Sequence, residues 1–260
     1  MNIHNEFHVQ IRFYEELNDF IKKYPLKIPI RFTFRGKRSV KDLIESFGVP
    51  HTEVDLILVN RKSVNFSYLV QDNDDISVYP MFERFDIRGL SRLREIPLRD
   101  TRFILDVHLG KLVRRLRLLG FDTDYDPYRT GPDLARISRE ERRILLTCNR
   151  ALLMRKIVTR GLIIRHSQVL EQTAEVLNKL SLWERTAPFS RCINCNGFLK
   201  TVPPEGEKLK EVLLSVPNGV SSWCRDYSRC TRCGRIYWKG SHFETMRLMI
   251  EELTKLRTSK

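Results

Sequence analysis

Apolar and polar side chains alternate through His8-Val-Gln-Ile-Arg-Phe-Tyr14, the period of a half-buried strand. A second strand is expected over residues 28–34, running into Arg35-Gly36-Lys37. The period then lengthens to that of a helix over residues 40–47, with Ser39 placed to cap it and Gly48 and Pro50 placed to stop it. Val54-Asp-Leu-Ile-Leu-Val59 reads as a buried strand whose turn begins at Asn60-Arg61. The acidic run Asp72-Asn-Asp-Asp75 precedes a last strand over residues 76–79. Residues 1–85 therefore predict a small mixed β domain.

Residues 86–100 break the pattern. Gly89, Pro97 and four arginines (Arg88, Arg92, Arg94, Arg99) sit among small apolar residues, the composition of a tether on RNA or of a solvated connector. Strand and helix periods then alternate to about residue 185. Strands are expected over residues 102–105, 121–125, 144–147 and 162–165, and helices over 111–119, from 132, over 151–159 and over 169–180. Gly120 and Gly161 are placed to end helices, and Ser138-Arg-Glu-Glu141 offers a capping box to a further one. On the first helix Leu112, Leu116 and Leu119 share one face, and Lys111, Arg114 and Arg115 share another. Such alternation predicts an α/β fold, a parallel sheet flanked by helices that receives ligands at the carboxyl ends of its strands.

A length of 260 residues fits two or three domains. No run is long and apolar enough to span a bilayer, and no apolar stretch behind a basic N-terminus would serve as a signal peptide, so a cytoplasmic setting without membrane partners is expected. Lys and Arg number 46 against 32 Asp and Glu, a net charge of +14. That excess favours a polyanionic partner (RNA, DNA or an anionic surface), with solubilising surface charge as the plainer alternative.

Four of the six cysteines form two pairs, Cys192-Ile-Asn-Cys195 and Cys230-Thr-Arg-Cys233, with Gly197 and Gly234 following. Two such knuckles are spaced for a tetrahedral structural Zn²⁺ site; two disulfides or free buried thiols are the alternative. Cys148 and Cys224 are left over, and Cys224 stands near enough to Cys230 to be a spare ligand. Arg225, Arg229, Arg232 and Arg235 surround the second pair, with Tyr227, Tyr237 and Trp238 close by. Basic and aromatic side chains so mixed clamp phosphates and stack bases, or else the aromatics fill a small core. His242 suits a substrate contact, a general acid or a cap, and residues 243–256 suit an amphipathic helix.

Polar residues just past strand ends carry the remaining chemistry. Asp106 closes the first strand of the α/β segment, Asn149 follows the third, and Asp133 lies in the first turn of a helix. Oxygen donors gathered there would hold Mg²⁺ or Mn²⁺, and the Lys111, Arg114 and Arg115 face would hold a phosphate backbone. Each acid also has a structural role open to it. Asp106 suits an N-cap, Asp133 a partner to the helix dipole, and Asp122, Asp124 and Asp126 turns.

The phrase Ser39-Val-Lys-Asp-Leu-Ile44 and the run Asp72-Asn-Asp-Asp-Ile-Ser-Val-Tyr-Pro80 resemble the ubiquitin-like, sulfur-carrier-type β-grasp family, whose order is strand, strand, helix, strand, strand. Sulfur carriers end in a free Gly-Gly, whereas this chain continues through Phe82-Glu-Arg-Phe-Asp86. Thiocarboxylate chemistry is therefore excluded, and a module that docks a protein partner or positions RNA is expected. Phe103-Ile-Leu-Asp106, Leu109-Gly-Lys-Leu112, Leu116-Arg-Leu-Leu-Gly-Phe-Asp122 and Arg143-Ile-Leu-Leu-Thr147 resemble the PIN-like RNase family, in the branch that forms the Mut-seven C-terminal domain. The stretches from Pro188 to Cys195 and from Cys230 to His242 resemble its attached zinc ribbon.

The resemblance implies a β-grasp over 1–85, a basic linker over 86–100, a PIN-like domain over 101–187, and a zinc ribbon with C-terminal helix over 188–260. It implies a metal-dependent endoribonuclease with Asp106 and Asp133 as metal-binding acids. RNA contacts would come from Lys111, Arg114, Arg115, Arg232, Arg235 and His242, and the RNA would be tRNA, rRNA or the ribosome. The third acid is missing: Cys148-Asn149 stands where the family commonly places Arg-Asp. Asn149 is a neutral oxygen donor, so a protein that grips RNA without cutting it is the competing expectation, and a DNA-directed protein a third.

Overall fold

A computed structural model describes residues 6–24, 28–80, 93 and 101–258. The arginine-rich linker and the Phe82–Asp86 phrase lie outside the described residues, apart from Leu93.

The N-terminal segment runs β1 (Glu6–Phe13), β2 (Ile30–Arg35), α1 (Val40–Ser46), β3 (Val54–Val59), β4 (Lys62–Ser63) and β5 (Asp75–Pro80). The strands order as β2-β1-β5-β3-β4, with β1 and β5 parallel in the centre, which is the β-grasp arrangement. Alternation in β1 buries Val9, Ile11 and Phe13, and α1 buries Val40, Leu43 and Ile44. Ser39 caps α1, its Oγ accepting from the Asp42 N–H at 3.1 Å, and Gly48 at φ +89° turns the chain away. Asn60 and Arg61, both at positive φ, close the β3–β4 hairpin. The acidic turn is also a clasp: Asp74 is buried and accepts from Asn60 Nδ2, the Gln71 N–H and the Tyr68 hydroxyl.

The chain resumes with β6 (Arg102–Leu105), α2 (Gly110–Leu118), β7 (Asp122–Asp124), α3 (Gly131–Glu140), β8 (Ile144–Thr147), α4 (Arg150–Leu153) and β9 (Gly161–Ile163). β6 pairs in parallel with β7, and β8 with β9, with helices packed on the strands. Three local expectations change. Ser138 opens no new helix; α3 runs through it, and its buried Oγ donates to the Arg143 carbonyl at 2.8 Å. Helix α4 is one turn rather than residues 151–159, because Val158 is buried five positions after Leu153, one more than helical spacing allows. Gly161 begins β9 instead of ending a helix, and a Cβ there would stand 2.5 Å from Leu153 Cδ2.

The C-terminal part comprises α5 (Val169–Lys179), β10 (Leu199–Thr201), α6 (Glu207–Ser215), α7 (Asn218–Ser221), β11 (Tyr227–Cys230), β12 (Ile236–Trp238) and α8 (Ser241–Lys255). The strands form an antiparallel sheet, β10-β11-β12. Helices α6 and α7 interrupt the ribbon between its knuckles and share a small core of Val202, Val212, Val216, Cys224 and Tyr227. Among the described residues no helix is long and apolar enough to cross a membrane.

The chain folds as two compact units, one from residues 1–100 and 131–163, the other from 101–130 and 164–260. In the first, the short 3-10 turn His51–Glu53 joins the β-grasp to β9. Glu53, only 5 % exposed, accepts from the Ile163 N–H at 2.6 Å, and so satisfies a backbone donor of that strand. His51, 6 % exposed, donates from Nε2 to the Val158 carbonyl at 2.7 Å while its Nδ1 lies 2.6 Å from Glu45 Oε1. In the second unit, the ribbon is tied to α2 and β7. Arg117, 7 % exposed, donates to the carbonyls of Thr123 and Asn194, and Arg191 donates to the Gly120 carbonyl. Gly120, at φ +92°, is needed there: a Cβ would meet the Ala187 carbonyl oxygen at 2.4 Å.

Candidate active site and thiolate centre

The sulfurs of Cys192, Cys195, Cys230 and Cys233 lie within 4.8 Å of one another. A tetrahedral site with Zn–S bonds of about 2.3 Å requires S···S edges of about 3.8 Å. The Cys192–Cys233 and Cys195–Cys230 separations are 3.7 and 3.4 Å, so the donor set fits a four-thiolate ion. Four protein ligands leave no open position, which makes the site structural. Backbone N–H groups of Cys195, Arg232 and Cys233 point at the sulfurs, and Tyr237 Oη lies 3.0 Å from Cys192 Sγ.

Burial works against ionising Cys192, but the hydrogen bonds from Tyr237 and from nearby backbone amides outweigh it and bring the thiol down to about 6. Burial first, then its sulfur neighbours, push Cys195 up to about 12. Thiols this close resist joint ionisation unless a dication sits among them. Cys224 belongs to the core of the α6–α7 insertion and takes no part in the cluster.

The knuckles share one turn. Asn196 and Gly234 both follow a second cysteine, sit at φ +69° and +71°, and donate their N–H to the carbonyl of the first cysteine at 3.0 and 3.1 Å. Gly197 serves another purpose: a Cβ there would press on Cys230 Sγ at 2.9 Å and Arg232 Cβ at 2.7 Å. The Asn196 side chain accepts from the Thr123 N–H at 3.0 Å and donates to Asp122 at 2.8 Å.

Asp106 leaves the carboxyl end of β6 and is 6 % exposed. Its Oδ1 accepts from the His108 N–H at 2.9 Å, and the exposed His108 ring stands 3.4 Å from the same oxygen. The acid therefore caps the turn into α2. Nothing in the alternation of strands and helices marks His108; only its place two residues past Asp106 hints at it. Asp133 and Asn149 belong to the other compact unit. Asp133 lies half-buried in the first turn of α3. Asn149 caps α4, its Oδ1 accepting from the Ala151 N–H at 3.0 Å. The remaining acids are structural: Asp124 pairs with Arg129, and Asp126 accepts from the Tyr128 N–H.

Lys111, Arg114 and Arg115 of α2 line one cleft of about 760 Å³ together with Tyr237, Trp238 and His242, so the ribbon end and the basic helix face enclose a common space. Burial, then the neighbouring Arg114 charge, lower the pKa of Arg115. The other two sequence candidates lie elsewhere. Arg232 donates to the Cys195 carbonyl, and Arg235 lines a second, smaller hollow with Glu211 and Arg229.

Two family models match the chain: Mut7-C ubiquitin over residues 7–86 and Mut7-C RNAse domain over residues 101–250. Comparison with curated proteins finds no match, nor does comparison with solved structures. The second model covers more than half of the sequence and takes in the acid-capped end of β6, the cationic face of α2 and all four clustered thiols. The chain belongs to the Mut7-C RNase domain family, with a Mut7-C ubiquitin-like domain in front.

Proposed function

We propose that this protein is a metal-dependent endoribonuclease acting in the cytoplasm on structured RNA such as tRNA or rRNA. The observation that carries the reading is Asp106, a nearly buried carboxylate at a strand's carboxyl end, in a segment matched to an RNase domain. Oxygen donors of the Asp and Asn type suit Mg²⁺ or Mn²⁺, and the family resemblance implies Asp133 and Asn149 as further donors. Such an ion, when bound, supplies Lewis acidity and a more acidic water. Asp106 would orient the reacting groups from a fixed position, since its backbone turn is locked by its own cap. His108 is the titratable side chain beside it and would accept or return a proton. Lys111, Arg114 and Arg115 would hold the RNA phosphates, with Arg232, Arg235 and His242 extending the contact.

The module boundaries fit this division of labour: 1–85 to dock or position, 86–100 to connect, 101–187 to cut, and 188–260, stapled by Zn²⁺, to grip. Asn149 favours a second reading, an RNA-holding protein without turnover, because its one carbonyl oxygen is already engaged in capping α4.

End-labelled tRNA and structured RNA, incubated with zinc-replete protein and Mn²⁺ or Mg²⁺, decide between them. Cuts that disappear on omitting the added ion and in Asp106→Asn are expected. Binding without cuts in excess Mn²⁺ would leave only the holding function.

A further inference from the structure

The cleft of the second compact unit has an aromatic side that the RNA-contact residues do not account for. Trp223, from the segment after α7, and Trp238, from the end of β12, both line it, together with Lys111, Arg114 and Arg115 of α2. The two indoles converge at Gly240, where a Cβ would stand 3.1 Å from Trp238 Nε1 and 3.6 Å from Trp223 Cη2. Trp223 is 55 % exposed, although burying an indole is among the larger hydrophobic gains open to a side chain. Tyr237 is different, since its hydroxyl is engaged at Cys192.

Among the described residues, Lys111, Arg114 and Arg115 pair with no acid, although salt bridges are common elsewhere in the same unit. Arg115 is held partly buried beside Arg114, an arrangement that an anion would relieve. The first turn of α8 adds Ser241 and His242 to the rim, and no side chain caps that helix.

Two indoles and three cations without an acidic partner among the described residues, lining one cleft, match one ligand chemistry: a π-system with a phosphate on either side. We propose that this cleft receives an unpaired nucleobase of single-stranded or looped RNA, stacked on Trp223 and Trp238, with its flanking phosphates on Lys111, Arg114 and Arg115. The inference rests on RNA being the ligand, and it makes the enzyme's preference one for unpaired nucleotides. A duplex keeps its bases stacked inside and presents mainly phosphates, so it would forgo contact with the indoles.

The chain has three tryptophans, and Trp183 lies outside the cleft with its Nε1 bonded to Asn178, so indole fluorescence reports on the other two. Full-length Asp106→Asn protein, zinc-replete and without added divalent ion, would be titrated with a short single-stranded RNA, the same RNA as a blunt duplex, and the single strand carrying one abasic site. Quenching by the single strand, less by the abasic strand and least by the duplex, is expected. Trp223→Ala, a change at an exposed side chain, should weaken single-strand binding by on the order of tenfold and duplex binding little.

Equal affinity for strand and duplex, with Trp223→Ala indifferent while Lys111→Ala and Arg114→Ala weaken both, would overturn the base pocket and leave the nuclease reading standing. Quenching with no cleavage by the wild-type protein would leave the pocket and remove the nuclease. No binding of any RNA at low salt overturns both.

Discussion

A left-handed residue after each second cysteine lets the chain double back so that the next amides face the sulfur, and glycine is the usual residue for it. At the second knuckle Gly234 fills the position; at the first it is Asn196, which tolerates positive φ and brings a side chain. That side chain reaches β7 through Thr123 and Asp122, so one residue both turns the metal loop and fastens it to the α/β part of its unit. Asn196→Gly should keep the turn and the zinc while losing about 1–2 kcal/mol in denaturant unfolding. Asn196→Ala, which strains the turn as well, should lose more. Equal stability of the glycine variant and the wild type would mean that the two side-chain bonds are idle.

The thiol cluster was legible from spacing because each pair acts within four residues. Asn196 was not, since its partners lie more than seventy positions away. Asp106 was legible as the last residue of a clear strand pattern, and the same pattern allowed the capping role it also plays.

Elements were legible where one face of the period was buried. The β1, α1 and β3 patterns correspond to observed elements because each has a single core to face. Short segments buried by neighbours distant in sequence were misread in their bounds, as the length of α4 and the place of Gly161 show. The α6–α7 insertion escaped notice because its core is made of scattered residues, Val202 to Tyr227, with no common period. For the same reason the cleft was only half visible: its α2 face is one helical stripe, while Trp223 and Trp238 come from either side of β11.

At this scale the join between the 3-10 turn and β9 is the testable element. Glu53→Ala would strand the Ile163 N–H and should cost about 1–3 kcal/mol, with faster hydrogen exchange at Ile163 and little change in β1. Glu53→Gln keeps an acceptor and should cost less. Unchanged exchange at Ile163 in Glu53→Ala would show that another group takes over the amide.

The charge of the whole molecule sets how RNA binding responds to salt. A net +14 guarantees attraction to any polyanion, so bare affinity would not distinguish a specific surface from a diffuse one. The salt slope does. Each phosphate neutralised on a single strand contributes about −0.7 to the slope of log affinity against log salt, so removing Lys111, Arg114 and Arg115 together should flatten it by about 2. Titrations at several salt concentrations would measure it; an unchanged slope would move the phosphate track off α2.

The first compact unit is discontinuous: the β-grasp strands come from its N-terminal stretch, and β8 and β9, which pair with each other, enter it only after a long excursion, β9 meeting the 3-10 turn His51–Glu53. On a ribosome, roughly eighty residues separate the completion of β5 from that of β9, an interval on the order of ten seconds at about 5–20 residues per second. During it the β-grasp has its own core to fold around, while Glu53 and His51 wait in water for partners not yet synthesised. When β9 emerges beside β8, the Glu53 carboxylate is in place to take the Ile163 N–H, an anchor for a strand of three residues. The N-terminal module is thus expected to act as a template for β9, and refolding of Glu53→Ala should show slower amide protection at Ile163.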